Sequence, residues 1–171
     1  MINWSLCIAT LNRPDALKRA IRHVLDQSVA PVQIVIVDAS DDWQASHRAI
    51  TKLLAANPAI RLDYIHSDIQ SSSTQRNIGI QASIGDVIFI IDDDSFLYPD
   101  CAATVLVAYD ADPDGRLAGV RMELEDQPPP LPDEVEAPHL QRKPSGNRSG
   151  LADYKDRFLE HRLGRWFHRR V

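Results

Sequence analysis

Three adjacent carboxylates, Asp92, Asp93 and Asp94, directly follow the apolar run VIFII at residues 87–91. A run of this composition is typical of a strand that is buried on both faces, and its end brings the three acids to one place. Neighbouring carboxylates repel one another, and a bound divalent cation removes that cost. Oxygen ligands alone favour a hard metal such as Mg²⁺ or Mn²⁺, and Mg²⁺ prefers one or two carboxylates together with substrate phosphates. The cluster therefore indicates a phosphorylated ligand held through a metal; the alternative is a solvated turn that binds nothing.

Apolar runs alternate with helical patterns over most of the chain before the acids, and again after them. Strands are predicted at residues 5–10, 33–37, 60–65, 86–91 and 117–124. Helices are predicted at residues 14–25, 43–56 and 74–83 and from Pro99 to about Tyr109, the first with Asn12 as its cap and Pro14 in its first turn. This alternation predicts βαβ units, and hence an α/β fold with a mostly parallel sheet and helices on both faces.

Ligands of open parallel sheets bind beyond the carboxyl ends of the strands. Here those ends are polar or acidic: Thr10-Leu11-Asn12, the loop that begins at Asp38, and the three acids. The first glycine of the chain is Gly79, which excludes a glycine-rich dinucleotide fingerprint or P-loop after the first strand. Positive charge for phosphates must therefore come from the metal and from side chains such as Arg13 and Arg76. For Arg76, an ion pair with surface acids is the alternative.

Four segments in order resemble the motifs of one known family. They are CIATLNRPDALKRAIRHVLDQS, QIVIVDASDD, STQRNIGIQASIGD and VIFIIDDDS, and the resemblance covers about Ile2–Asp100. The family is the family 2 glycosyltransferases, which have the GT-A fold. The second segment is similar to the family's strand-end aspartate loop, the third to its arginine-asparagine helix, and the fourth to its DxD motif.

The resemblance implies a role for each matching residue. The chain around Thr10–Asn12 and Asp38 should hold the nucleoside, Arg76 should lie near the base or the diphosphate, and Asp92 should face the ribose. Ala39 departs from the pattern, because many members have there a second acid that touches the base. The residues assigned to nucleotide binding are thus Thr10, Leu11, Asn12, Arg13, Asp38, Arg76, Asp92 and Asp93, and those assigned to Mg²⁺ or Mn²⁺ are Asp94 and Asp92.

The activity that the resemblance implies is transfer of a sugar from a nucleoside diphosphate to the hydroxyl of a glycan or a lipid-linked acceptor. Inverting members need a carboxylate base from a later region, and no segment after Gly115 matches that region well. Glu123, Glu125 and Asp126 follow the predicted fifth strand and are left unassigned. We therefore expect either a glycosyltransferase of reduced size or the donor-binding half of a longer one, with poor sugar transfer by this chain alone. One alternative is a non-catalytic nucleotide-sugar-binding or scaffold protein. The other is a nucleotidyltransferase, although such an enzyme should have a glycine-rich loop after the first strand, which this chain lacks.

Composition sets the remaining expectations. The net charge of −5 gives no basic footprint for nucleic acid, and we expect a cytoplasmic protein without a signal peptide. Residues 1–126 are predicted to form the compact domain, 127–150 a proline-rich and polar linker, and 151–171 a basic amphipathic helix. That helix could pack on protein or lie on the inner face of a membrane, and both interpretations are kept.

Overall fold

The fold is an alternation of strands and helices, as predicted. A computed structural model describes residues 1–123, 125 and 129–131 of the chain. Its elements in chain order are β1 (Trp4–Thr10), α1 (Pro14–Leu25), β2 (Gln33–Asp38), α2 (Trp43–Leu54), β3 (Arg61–His66), α3 (Ser72–Ala82), β4 (Val87–Asp92) and α4 (Cys101–Asp110).

The four strands form one parallel sheet in the order β3-β2-β1-β4. The register pairs Thr10 with Asp38 and Asp38 with His66, while Ala9 pairs with Asp92. Because all strands run in one direction, these residues meet at the same edge of the sheet. The predicted α/β class with a parallel sheet is confirmed, and so is the prediction that its polar strand ends lie together.

The main core lies on the face of the sheet that packs against α1, α2 and α4. Alternate residues of the strands point to this face, and they meet apolar residues of the helices. The best-buried members of this core are Trp4, Leu6, Ile8, Leu17, Ile21, Ile34, Ile36, Ile50 and Leu106. Trp4 and Phe89 join β1 to β4 here, with ring centroids 4.5 Å apart.

Helix α3 covers the opposite face, because the chain crosses from β3 past two strands to reach β4. Gly79 lets this helix approach β1: a Cβ atom at Gly79 would lie 2.3 Å from Cys7 Sγ. Cys7 itself is fully buried. Helix α3 packs on β1 and β2, and β4 lies beside them at the edge of the sheet, so that Ile90 on this face is 45% exposed.

The predicted fifth strand is wrong over the residues that can be checked, 117–123. This segment forms no strand and pairs with no element. Leu117 and Val120 are 40% and 39% exposed, and Gly119 interrupts the apolar pattern, so the segment buries too little surface to form a strand there.

The predicted linker is described only at residues 129–131, and the predicted helix at 151–171 lies outside the described residues. The end of the compact domain at residue 126 stays a prediction. Within the described ranges, no helix is both long and apolar enough to cross a membrane.

Candidate functional site

The three acids at the end of β4 differ in exposure. The side chains of Asp92 and Asp94 are 57% and 56% exposed, whereas that of Asp93 is 7% exposed. Only Asp92 belongs to β4; Asp93 and Asp94 form the turn that follows, in which Asp93 is buried and Asp94 stays exposed. Asp93 Oδ2 accepts a hydrogen bond of 2.7 Å from Thr10 Oγ1. The middle acid therefore ties β4 to β1, and the two outer acids face solvent.

Two arginines neutralise these acids. Arg13 Nη1 donates to Asp93 Oδ1 at 3.1 Å and to Asp94 Oδ2 at 2.7 Å. These hydrogen bonds, first to Asp93 and then to Asp94, raise the pKa of Arg13. Arg76, on α3, forms an ion pair with Asp92. The alternative given for Arg76, a pair with an acid, is thus present, but its partner is one of the three strand-end acids.

The acids line a cavity of about 350 Å³, which we name the acidic cavity. It opens between the loop after β1, the start of α3 and the end of β4. Six of the residues that were predicted to bind the nucleotide or metal line it: Thr10, Leu11, Arg13, Asp92, Asp93 and Asp94. The size and the polar lining suit part of a nucleotide rather than an apolar ligand.

A second cavity, of about 800 Å³, lies on the other side of the same acids and is named the outer cavity. It is shared between the loop that follows β4 and the segment at residues 120–125. Asp92 and Asp94 line both cavities, and Arg76 lines the outer one. Glu123 and Glu125 lie in the lining of the outer cavity as well. The two exposed acids therefore stand at the junction of two separate spaces.

Asp38 is placed differently from the other predicted site residues. It is 1% exposed and lines neither cavity. Its Oδ1 accepts from the Ser40 backbone N–H at 2.8 Å, and its Oδ2 accepts from the Tyr64 hydroxyl at 2.5 Å. Burial and then the hydrogen bond to Asp38 raise the pKa of Tyr64, which keeps its hydroxyl a donor. In this arrangement Asp38 fixes the loop after β2.

That loop in turn fixes Asn12. The backbone N–H of Asn12 donates to Ser40 Oγ at 2.7 Å, and Asn12 has a φ of 55°, in the left-handed region. The predicted role of Asn12 as the cap of α1 is wrong: the N-cap is Arg13, and no side chain caps the helix there. Asn12 is drawn away from the helix end because its backbone serves the contact with Ser40. Arg13 follows at once and is thereby aimed at the acids.

Gln75 is a residue of the site that was not predicted from the sequence. This residue of α3 is 3% exposed, and its Nε2 donates to the carbonyl oxygens of Thr10 and Val37, both at 2.8 Å. It also lines the acidic cavity. A signal was present in the sequence, because Gln75 lies four residues before Gly79 and therefore shares its sheet-facing side. A polar residue at such a position needs partners in the sheet.

The donor set fits a hard divalent cation. Asp92 and Asp94 present carboxylate oxygens from one strand end, and they would hold such an ion. Among residues 1–123, 125 and 129–131, no group of three or more His, Cys, Asp or Glu side chains is arranged to hold a metal ion. Two exposed carboxylates match the mode in which Mg²⁺ takes one or two protein ligands and completes its shell with phosphates and water.

Comparisons with known proteins agree with this geometry. The model of the family "Glycosyl transferase family 2" matches residues 5–161. WcaA of Escherichia coli (strain K12), named as a glycosyl transferase of colanic acid biosynthesis, is 36% identical over 98 residues, which are 56% of this chain and 34% of WcaA. The chain spans about a third of the length of the curated relatives it matches.

Two solved structures are similar in fold. The mannosyltransferase PcManGT from Pyrobaculum calidifontis, in complex with GDP-Man and Mn²⁺, has a TM-score of 0.54 and 19% identity, over 66% of this chain and 33% of that one. Residues 1–349 of S. aureus TarS, in complex with UDP, have a TM-score of 0.52 and 16% identity, over 64% of this chain and 32% of that one. The predicted GT-A-like fold is confirmed. With the family model covering most of the sequence, the chain belongs to glycosyl transferase family 2.

Proposed function

We propose that this chain binds a nucleoside-diphosphate sugar through Mg²⁺ or Mn²⁺ and forms the donor-binding half of a glycosyltransferase. One observation carries the proposal: the two exposed acids, Asp92 and Asp94, stand between the acidic cavity and the outer cavity. In transfer with inversion the acceptor approaches the reacting carbon from the side opposite the leaving group, and acids that border two spaces suit this geometry.

The donor side of the proposal rests on the acidic cavity. Thr10, Leu11, Asp92 and Asp93 provide oxygen acceptors and backbone for a ribose, and Arg13 provides positive charge for phosphates. Asn12 and Asp38 would act indirectly, by holding the loops that surround the nucleoside. PcManGT was solved with GDP-Man and Mn²⁺ and TarS with UDP, which supports a nucleotide donor but leaves open which nucleotide.

In the proposed reaction, negative charge builds on the leaving diphosphate as its bond to the sugar breaks. A divalent cation held by Asp94 and Asp92 would supply charge stabilisation to that leaving group. Arg76 would add a second positive charge from α3, at the side where the outer cavity begins. Asp93 would keep the end of β4 in place through its buried hydrogen bond to Thr10.

The outer cavity would receive the acceptor, for which we propose a hydroxyl-bearing glycan or a lipid-linked sugar. Besides Asp92 and Asp94, its lining holds two carboxylates, Glu123 and Glu125. Either would be able to take the proton of an acceptor hydroxyl, which is the task of the base in inverting transfer.

Calorimetry with UDP and with GDP, each with and without Mn²⁺, tests the donor proposal. We expect one nucleotide to bind only with Mn²⁺, and Asp92→Asn and Asp94→Asn each to weaken that binding at least tenfold, which is about 1.4 kcal/mol. Asp41→Asn is the matched control, because Asp41 is exposed and lines neither cavity. Unchanged affinity and unchanged manganese dependence in both cavity variants would overturn the proposal.

A second candidate function is nucleotide-sugar binding without transfer. It is favoured by the acidic cavity alone, since that cavity is complete without any acceptor. Incubation of the chain with the sugar form of the nucleotide that binds, followed by measurement of released nucleoside diphosphate, separates the two. Slow release of nucleoside diphosphate would favour a glycosyltransferase with poor activity, and binding with no release over many hours would favour the binding protein.

A further inference from the structure

The guanidinium of Arg13 contacts a carboxylate that would also bind the metal ion. A single nitrogen of its guanidinium, Nη1, contacts both Asp93, at 3.1 Å, and Asp94, at 2.7 Å. Asp94 is one of the two acids that would hold the cation. A positively charged group so close to Asp94 Oδ2 opposes the approach of a divalent ion to that oxygen.

The two contacts of Arg13 differ in how easily they can change. Asp93 is buried, and its other oxygen accepts from Thr10, so that this carboxylate is fixed. Asp94 is 56% exposed and so is Arg13, which leaves both side chains free to separate. The backbone of Arg13 is held at the start of α1, between the strained Asn12 and Pro14 at the first helical turn. The guanidinium can therefore leave Asp94 while it stays beside the acidic cavity.

We propose that Arg13 couples the binding of the cation to the binding of the nucleotide diphosphate. This inference rests on the proposed function. A divalent ion alone would have to displace the guanidinium from Asp94 and leave it without a counter-charge. An ion that arrives with a diphosphate brings negative oxygens to which the released guanidinium can donate. The site then favours the cation–nucleotide pair over either partner alone, and the coupling is reciprocal.

Arg76 also pairs with an acid that would hold the cation, Asp92, but it does not line the acidic cavity in which the diphosphate would bind. It lines the outer cavity and contacts Asp92 alone among the three acids. Arg13 lines the acidic cavity and contacts two acids there. The coupling is therefore assigned to Arg13.

Binding of Mn²⁺ to the nucleotide-free protein, followed by electron paramagnetic resonance, tests the proposal without any measurement of activity. We expect Arg13→Gln to bind Mn²⁺ about threefold to tenfold more tightly than the unchanged chain, because one competing ion pair is removed. We also expect it to bind UDP or GDP with Mn²⁺ about threefold to tenfold more weakly, because the phosphates lose a donor. Arg13→Lys keeps the charge but loses the planar donor group. Its affinities for Mn²⁺ and for the nucleotide should lie between those of the unchanged chain and those of Arg13→Gln.

Arg116→Gln is the control for the loss of one positive charge, since Arg116 pairs with Asp114 and lines neither cavity. Equal Mn²⁺ affinity in the unchanged chain and Arg13→Gln, including no detectable binding in either, would overturn the coupling. So would a nucleotide affinity that Arg13→Gln leaves unchanged. Failure of the proposed function would give a different result from failure of the coupling, because the unchanged chain would then bind neither UDP nor GDP in the presence of Mn²⁺.

Discussion

A buried glutamine attaches each end of α3 to the sheet, but only one of the two glutamines lies at the candidate site. At the carboxyl end of the helix, Gln33 of β2 accepts from Ser5 Oγ at 2.8 Å and from the Ile84 N–H at 2.9 Å. Its Nε2 donates to the Ala82 carbonyl at 2.9 Å and to Asp63. At the amino end, Gln75 of α3 donates to the carbonyls of Thr10 and Val37. Both are buried amides that join the helix to strands.

What separates them is the edge of the sheet at which each one acts. Gln33 acts at the amino ends of the strands, away from both cavities. Gln75 acts at the carboxyl ends, lines the acidic cavity and directly precedes Arg76. The same hydrogen-bonding chemistry thus serves stability alone at one end and the site at the other. Substitutions at the two ends should separate these roles.

The largest effect is expected for Gln33→Ala. The change leaves buried donors and acceptors of β1 and α3 without partners, and we expect a loss of about 3 kcal/mol in the free energy of unfolding. Urea denaturation measures this loss. The affinity of the folded protein for nucleotide with Mn²⁺ should stay the same.

Gln44→Ala is the matched control for that measurement, because Gln44 is exposed on α2. It should change the free energy of unfolding by less than about 0.5 kcal/mol. A Gln33→Ala protein that was as stable as this control, or that lost nucleotide affinity while folded, would contradict the contrast between the two ends.

Gln75→Ala should cost less stability but affect the site. The carbonyls of Thr10 and Val37 lose the Gln75 donor, although that of Thr10 keeps the Ala39 N–H at 3.1 Å, and we expect a loss of about 2 kcal/mol in the free energy of unfolding. Because the ends of β1 and β2 and the start of α3 are then less firmly held, we also expect about a tenfold loss in nucleotide affinity, or about 1.4 kcal/mol. Calorimetry at a temperature where the variant is fully folded measures this. Full affinity there would show that Gln75 is a purely structural residue like Gln33.

The smallest effect is expected in the middle of the helix. In Gly79→Ala the new methyl group would lie 2.3 Å from Cys7 Sγ, so that α3 must shift or the thiol must turn. We expect a loss of about 1–2 kcal/mol in the free energy of unfolding. Cys7→Ala in the same chain removes the sulfur and should restore much of it. A double variant no more stable than Gly79→Ala would place the strain elsewhere.

The sequence predicted the scaffold well because the scaffold depends on local patterns. β-branched runs and helix start signals placed all eight elements within a few residues, and parallel strands then required Thr10, Asp38 and the three acids to share an edge. The fifth strand failed because alternation cannot show whether a partner strand is present. The pairing of Arg13 with Asp93 and Asp94 and the contacts of Gln75 were also not predictable, because each joins residues more than 35 positions apart.

The placement of β4 has one further consequence. Within the part of the chain that the structure describes, β4 is an outermost strand of the sheet, its outer backbone groups form no ladder, and its last residue is Asp92. Any polypeptide that adds a strand there would extend the sheet beside Asp92, one of the two acids that line both cavities. A protein that associates along this edge would then also affect the access of ligands to the acids.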